Sequence, residues 1–450
     1  VPPAVVLVTG VSRWLGGALA AELARDPAID RVIGVDTVPP SAELLRRLGR
    51  TEFVRADIRN PLIGKVIATA GVDTVVHMNI SSTPATSGGR VPMKELNVIG
   101  TMQLLAACQR AESVRRFVLK STTAVYGASS RDPAVFTEKM QARLVPSGGF
   151  AKDSVDIEGY VRSFGRRRPD VDIAVLRFTN FIGPRIDSLL TGFLRMPVVP
   201  TAMGYDARVL LLHEDDALEV LVRATTGNFR GTVNVGGEGT MLLSQAIRRL
   251  GRIEAPLPTP ALGSVGRVSR RFGFVDYSPE QMRFLNFGRV VDTTVLRTEF
   301  GLVPRYTTAD ALAEAAKSIA AAVSAKAVIC FTMSGSTARR IARERPNVPI
   351  MVLTPKLETA RRLGLLWGVH AVHSRDVASF EEMVAKAKRM ALRPHVGAAG
   401  DRVIISAVVP FGTPGSTNVL HVVRIIGDEL KRRNIDYSLS ASDYWLWNVL

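Results

Sequence analysis

The sequence predicts an α/β protein built on a doubly wound parallel sheet, followed by a second α/β unit. Three observations carry this. Short β-branched runs alternate with amphipathic stretches up to about residue 240, the first run ends in a glycine-rich turn, and the alternation restarts near residue 310. At 450 residues the chain is also too long for one ordinary core.

Strands are read at Val5–Thr9, Arg31–Asp36, Glu52–Arg55, Thr74–Met78 and Arg116–Ser121. Between them, LGGALAAELARD, PLIGKVIATAG and MKELNVIGTMQLLAACQR carry helical periodicity. This order implies right-handed crossovers and parallel pairing. DIAVLRFT, RVLLLH and GTVNVG read as further, less regular strands, and Ile253–Gly273, rich in Pro, Gly and Arg, as loops with a short helix. Beyond residue 310, DALAEAAKSIAAAV reads as a long helix, with KAVICFT, VPIMVLT and GVHAVHS as segments separated by helices such as STARRIARER. The final KRRNIDYSLSASDYWLWNVL follows neither period and receives no assignment.

A composition of 46% hydrophobic and 22% charged residues is that of a soluble globular protein. No apolar run reaches the ~18–20 residues that span a bilayer, so no membrane partner is expected. The opening VPPAVVLVTG lacks a basic leader and already reads as a strand entering a turn, so no signal peptide is expected. Valine at position 1 is read as an alternative start or a trimmed fragment. The two cysteines, Cys108 and Cys330, lie far apart in apolar surroundings, which suits a reducing cytoplasm. The net charge of +17 raises the question of nucleic acid. Arginines are spread along every helix, however, and the cluster Arg166-Arg167-Arg168 precedes Pro169-Asp170, where cations complement a helix C-terminus. No nucleic-acid partner is predicted.

The first strand runs into Thr9-Gly10-Val11-Ser12-Arg13-Trp14-Leu15-Gly16-Gly17 and a helix. Gly10 makes the tight turn, Gly16 lets the helix press on the sheet, and the free N–H groups of the helix suit a pyrophosphate. Such glycines also end strands for structural reasons. The strand–turn–helix context and Asp36, closing the next strand, turn the pattern into a Rossmann-type dinucleotide site. An Asp there accepts hydrogen bonds from ribose hydroxyls and repels a 2′-phosphate, so NAD is expected over NADP. The predicted fold is thus a Rossmann-type doubly wound parallel sheet with a small substrate-side subdomain, plus a second three-layer α/β domain.

TGVSRWLGG, GVD ending at Asp36, RADIRNP, VVHMNIS, ELNVIGT, STTAVYG, LRFTNFIGP and RVLLLHEDDA together resemble the extended short-chain dehydrogenase/reductases of the NAD-dependent epimerase/dehydratase type, from residue 4 to about 315. The resemblance implies that Thr9, Gly10, Arg13, Trp14, Leu15, Gly16 and Asp36 meet the cofactor and that Asp57 and Ile58 flank its adenine. It further implies that Met78, Asn79 and Ile80 line the cleft and that Asn97 lies beneath the nicotinamide half. Asn180 and Arg208 match positions that hold the diphosphate of a nucleotide sugar, although Arg208 equally suits a surface ion pair.

Two departures matter. Arg13 replaces the middle glycine of the phosphate turn, and its side chain either crowds the pyrophosphate or pairs with it. The family's chemistry needs a Tyr acid/base, a Lys four residues later and a Ser or Thr. Thr122 keeps the third position, but in GFAKDSVDIE Phe150 stands for the Tyr and Ser154 for the Lys. Phe cannot exchange a proton and Ser cannot supply a cation. Lys152 should point to the opposite side of that helix, and Tyr126 and Tyr160 have packing explanations. The expectation is an NAD-binding, catalytically impaired protein with a binding or regulatory role. Two alternatives stay open: an active NAD-dependent enzyme on a nucleotide sugar or similar alcohol, using Tyr126, Tyr160 or Lys152, and an oligomeric scaffold whose cleft Arg13 fills by pairing with Asp36 or Asp57.

KAVICFTMSGSTARRIARERPNVPIMVLTP, ETARRLGLLWGV and GDRVIISAVVPFGTPGSTNVL look like the C-terminal domain of pyruvate kinase, over about 310–428. The resemblance implies a regulatory, oligomer-forming domain, hence a homo-oligomer. Its loop of Thr332, Ser334, Gly335, Ser336 and Thr337 would cradle the phosphate of a phosphosugar effector. The same residues also suit a plain helix start with Ser334 or Ser336 as N-cap. The kinase barrel and its metal-binding carboxylates have no room here, so neither pyruvate kinase activity nor a metal site is expected. The expected domains are 1–308 and 309–430, with 431–450 unassigned. The join falls inside TTADALAEAAKSIAAAV, which serves as the last helix of one unit and the first of the next. So seamless a join is also what a recombined gene product would show.

Overall fold

The computed structural model describes residues 3–82, 89–146, 148–186, 188–196, 198–250, 252–258, 279–314, 325–343, 345–346, 348–377, 380–392, 401–407 and 419–424. The unassigned tail, most of the Pro/Gly/Arg-rich stretch and the second half of the joining helix lie outside these residues. The chain divides into two compact units, Val1–Ile319 and Ala320–Leu450.

In the first unit β1 (Val5–Thr9), β2 (Arg31–Asp36), β3 (Glu52–Arg55), β4 (Thr74–His77), β5 (Arg116–Thr122) and β6 (Asp172–Phe178) join the strand Gly231–Val235 in a seven-stranded sheet. All its pairings are parallel, and the order is Gly231–Val235, β6, β5, β4, β1, β2, β3. Such a sheet is covered on both faces, which explains the unbroken apolar run of β1. Val6 and Val8 enter one core with α1 (Trp14–Arg25), while Leu7 enters the other with α3 (Leu62–Ala70) and α5 (Gly100–Arg110). Fully burying such a side chain contributes about 1.5–3 kcal/mol. In α1, Leu15, Leu19 and Leu23 recur at the helical spacing and are buried.

The direction of winding reverses between β1 and β4, which lie side by side although β2 and β3 intervene in sequence. A doubly wound sheet opens a crevice at such a switch point, beyond the carboxyl ends of the strands. Two strand ends differ from expectation. β4 stops at His77, because the N–H of Met78 turns to Thr9 Oγ1 at 3.0 Å, and β5 runs on to Thr122. RVLLLH, read as one strand, is two: Arg208–Val209 pairs with Met241–Leu242 and Gly288–Arg289, whereas Leu211–His213 pairs with Asn180–Ile182. Ile253–Leu257, at the start of the stretch read as loops, is a strand paired with Val198–Ala202, and these short sheets share a smaller core beside the main sheet. Ala311 and Leu312 bury in this smaller core, so the start of the joining helix packs with the first unit.

α6 (Gly149–Arg167) presents Ile157, Val161 and Phe164 to the sheet. Arg166 and Arg167 occupy its last turn, as the dipole argument predicts. Arg168 reaches back to the end of α5, donating to the carbonyls of Cys108 at 3.0 Å and Ala111 at 3.2 Å.

The second unit holds a five-stranded sheet in the order Val369–His373, Ile350–Thr354, Ala325–Phe331, Arg402–Ala407, Val419–Arg424, with only the last pairing antiparallel. The helix Phe380–Ala391 packs on one face through Met383 and Ala387. The helices Ser336–Arg343 and Leu357–Leu363 pack on the other through Ala338 and Leu363, which makes three layers. No helix among the described residues is long and apolar enough to cross a membrane.

Candidate cofactor cleft

Beyond the ends of β1 and β4 lies a cavity of about 370 Å³. Its floor is set by the glycine turn. Gly10 has φ +78°, and a Cβ there would lie 3.0 Å from the backbone of Asn79. A Cβ on Gly16 would overlap the carbonyl of Gly10, so the helix seats against the turn only because both residues are glycine. Arg13 is the N-cap of α1 and makes no side-chain cap, which leaves first-turn N–H groups of α1 open to a ligand. The Arg13 guanidinium lines the cavity, 3.5 Å from the carbonyl of Ile80. Among the described residues it forms no ion pair with Asp36 or Asp57.

The cavity brings together Gly10, Arg13, Trp14, Leu15, Gly16, Met78, Ile80, Thr122, Phe150, Ser154 and Asn180 from the expected set. Thr122 Oγ1 accepts from Ala124 N at 3.2 Å, so its own hydrogen remains for a ligand. Ser154 Oγ donates to the carbonyl of Phe150 at 2.8 Å.

The remaining expected residues stand outside the cavity wall. Thr9 is fully buried, its Oγ1 accepting from Met78 N and Asn79 N and lying 2.9 Å from His77 Nδ1. Burial, with the Lys120 charge adding, pushes His77 down to about 3, so the ring is neutral. Thr9 Oγ1 already accepts two N–H groups and therefore donates to Nδ1. The ring proton then sits on Nε2 and reaches Thr101 Oγ1 at 2.9 Å. Asn97, in a π-helical turn at Glu95–Ile99, clamps both backbone groups of Ser81 at 2.8 and 2.9 Å. Asp36 closes β2 and accepts from Ser12 N at 3.1 Å and Thr37 N at 2.8 Å. Asp57 pairs with Arg59 at 2.6 Å, which holds its carboxyl below the usual range. Ile58 is a core residue at 1% exposure, packed where a Cβ on Gly100 would clash. Asn79 is buried, and Arg208 is exposed on its short strand.

None of the alternative proton donors lines the cavity. Tyr126 is buried at 1% exposure, donating to Asn234 Oδ1 at 2.7 Å and accepting from Arg177 at 2.8 Å. Lys152 pairs with Asp156 at 2.5 Å, and Tyr160 lies on the surface.

Among the lining residues that the sequence reading missed are Lys120, Thr179 and Arg185. Arg185 lies over the Trp14 ring, 4.2 Å from its centroid, and pairs with Glu214 at 2.6 Å. Lys120 was legible as the charge that follows the apolar run Phe117–Leu119 within a strand, where a covered position should be apolar. Among the described residues no carboxylate lines the cavity.

In the second unit the Thr332–Thr337 loop closes on itself. Thr332 Oγ1 accepts from Gly335 N at 3.0 Å, and Ser334 Oγ lies 3.2 Å from Ser336 Oγ. Gly335 sits at φ +80°, and Arg339 donates to the carbonyl of Ser334 at 3.1 Å.

A doubly wound sheet with a glycine-turned cleft at its switch point defines a dinucleotide-binding class. Within that class, the chain belongs to the NAD dependent epimerase/dehydratase family, whose profile it matches over residues 6–236. Residues 310–423 match the pyruvate kinase alpha/beta domain. An uncharacterized protein of Mycobacterium tuberculosis (strain ATCC 25618 / H37Rv) is 54% identical over 309 residues, 69% of this chain and 82% of that protein. A pyruvate kinase of Methylorubrum extorquens is 43% identical over 129 residues, 29% of this chain but only 27% of the kinase. Among solved structures, a Tyr-to-Phe mutant of the UDP-glucuronic acid 4-epimerase of Bacillus cereus, in complex with UDP-4-deoxy-4-fluoro-glucuronic acid and NAD, aligns with a TM-score of 0.55. It is 21% identical, and the alignment covers 70% of this chain and 98% of that one, a likeness of fold.

Proposed function

We propose that the first unit binds NAD and a nucleotide-activated sugar but converts the sugar poorly, acting as a binding or regulatory protein. The observation that carries this is the presence of Phe150 and Ser154 on the cavity wall, where the family resemblance calls for Tyr and Lys. The residues fit the cofactor. The Gly10–Gly16 cradle, the uncapped start of α1 and the absence of carboxylates from the described wall all suit a diphosphate. Bound there, NAD would supply a hydride acceptor, Thr122 would orient a substrate hydroxyl, and no side chain at the Tyr position would take its proton. Loss of a general acid/base costs roughly 10²–10⁴-fold in rate. That a Tyr-to-Phe mutant of similar fold holds both NAD and a nucleotide sugar supports binding without it.

Asp36, held by two backbone N–H groups at the end of β2, supports NAD over NADP. The second unit, in this reading, is an assembly and effector domain for a phosphosugar, and the protein is a cytoplasmic homo-oligomer. Calorimetric titration of NAD⁺ and NADP⁺ tests the reading. Saturable binding that prefers NAD⁺, with UDP-sugar turnover below that of active epimerases, is the expected result; no NAD⁺ binding, or ordinary turnover, overturns it.

A further inference from the structure

Side chains of β5 alternate between the two faces of the sheet. Ser121 points toward α6 and donates to Glu158 Oε1 at 2.6 Å, whereas Val118 joins the core beneath α1. Lys120 therefore rises on the α1 side, into the cavity. Its ammonium lies 5.9 Å from the centroid of Phe181, and no carboxylate among the described residues is within ion-pairing distance of it. Among the described residues, the charged and titratable groups around it are Arg13 at the start of α1, His77 at the end of β4 and Arg185 in the same wall. None supplies a negative charge. Beside them Thr179, at 5% exposure, lines the cavity with a hydroxyl that has no hydrogen-bond partner. A half-buried cation with no counter-charge among the described residues and a buried hydroxyl without a partner are both costly unless a ligand satisfies them.

We propose that Lys120 is a proton-coupled anchor for a diphosphate in this cleft, its ammonium being the counter-charge between the α1 turn and the Thr179–Phe181 segment. This rests on the reading that the cleft takes a phosphate-bearing ligand, and it adds a residue and a pH dependence to that reading. In the free protein, burial, with the Arg13 charge adding, pushes the Lys120 amine down to about 7. A diphosphate beside it favours the charged form, so the amine takes up a proton from solvent as the ligand binds. Guanidinium groups do not lose their proton in proteins and His77 is held neutral, so Lys120 is the group in this set that titrates.

The diphosphate could come from NAD or from a nucleotide sugar, and both are fully ionised in this range. The experiment titrates NAD⁺ and, separately, UDP-glucose into the full chain by calorimetry, in buffers of different ionisation enthalpy. With the true source, about one proton should be taken up at pH 8, and affinity should be on the order of tenfold weaker at pH 8.5 than at pH 6.5. Lys120→Arg should keep the affinity and lose both effects, because guanidinium stays charged; Lys120→Met should bind weakly at every pH, with folding of each variant checked by circular dichroism. Uptake with NAD⁺ alone assigns the cofactor diphosphate, and uptake with UDP-glucose alone assigns the sugar nucleotide. NAD⁺ binding with no proton uptake for either ligand, or uptake that survives in Lys120→Arg, overturns the anchor and leaves the cofactor reading standing. Uptake with UDP-glucose and no NAD⁺ binding overturns the cofactor reading and leaves the anchor. No binding of either ligand overturns both.

Discussion

Ser154 donates its hydroxyl hydrogen to the carbonyl oxygen of Phe150, one helical turn earlier, at 2.8 Å. These are the residues standing where the family resemblance calls for Lys and Tyr, and the bond turns Ser154 inward on its own helix. Neither side chain offers a proton to the cavity both of them line.

Restoring the pair should therefore restore chemistry. Phe150→Tyr with Ser154→Lys is expected to raise UDP-sugar turnover by about 10²–10⁴-fold, with little change in NAD⁺ affinity. Steady-state assay of the double variant checks this. Turnover no higher than in the parent would mean that the cleft is not shaped for a reactive substrate.

Lys120 should weaken the ligand-free fold below neutral pH. Its folded pKa of about 7 lies under the usual 10.5, so below pH 7 both states are protonated and the folded state bears the whole burial cost. Between 7 and 10.5 the unfolded chain binds the extra proton, and stability rises with pH. Lys120→Met is expected to raise Tm by about 2–4 °C at pH 6, a gain that shrinks toward pH 10. Thermal melts across that range measure it, and a gain that grows with pH would contradict the sign.

His77 has the opposite exposure to acid. Its pKa falls from 6.5 to about 3 on folding, so the unfolded state alone binds the proton between these values. Stability from this group is present above pH 6.5 and drains away as pH falls toward 3, by at most about 1.4 kcal/mol per pH unit. Nitrogen NMR should find the ring neutral, protonated on Nε2, down to about pH 4. A titration midpoint near 6 would show the strand-end lock with Thr9 and Thr101 to be open.

Arg177 and Glu158 form a buried pair at 2.6 Å that also holds Tyr126 and Ser121. Arg177→Met leaves a buried carboxylate without its partner and should cost about 3–5 kcal/mol in urea unfolding. Replacing both, as Arg177→Met with Glu158→Leu, should recover much of that loss. A single variant as stable as the parent would mean that water reaches Glu158.

The strands β1 and β2 were legible because both of their faces are covered, so the apolar runs VVLV and RVIGV announce themselves. RVLLLH was misread as one strand because nothing local marks the break at Leu210; it follows from two different partners, Met241–Leu242 and Asn180–Ile182. The glycine turn was legible from its spacing together with the strand before it, the helix after it and Asp36 closing the next strand. Lys120 was passed over because a single charge in a strand looks like a tolerated edge, and only the neighbouring strands reveal it as central.

The sequence by itself determined the α/β class and the glycine turn, because each depends on residue type at short spacing, and through the family resemblance it raised the expectation that Phe150 and Ser154 stand where Tyr and Lys would be. Tertiary structure decided which of the candidates share a cavity. Thr9, Asn97 and Ile58 hold the walls from behind, and Arg13 lies along the wall rather than in an ion pair. Lys120 and Thr179 meet one cavity although 59 positions separate them in sequence (179 minus 120), because β5 and β6 are neighbours in the sheet. That adjacency comes from strand pairing across a long crossover, which no local pattern of residues encodes.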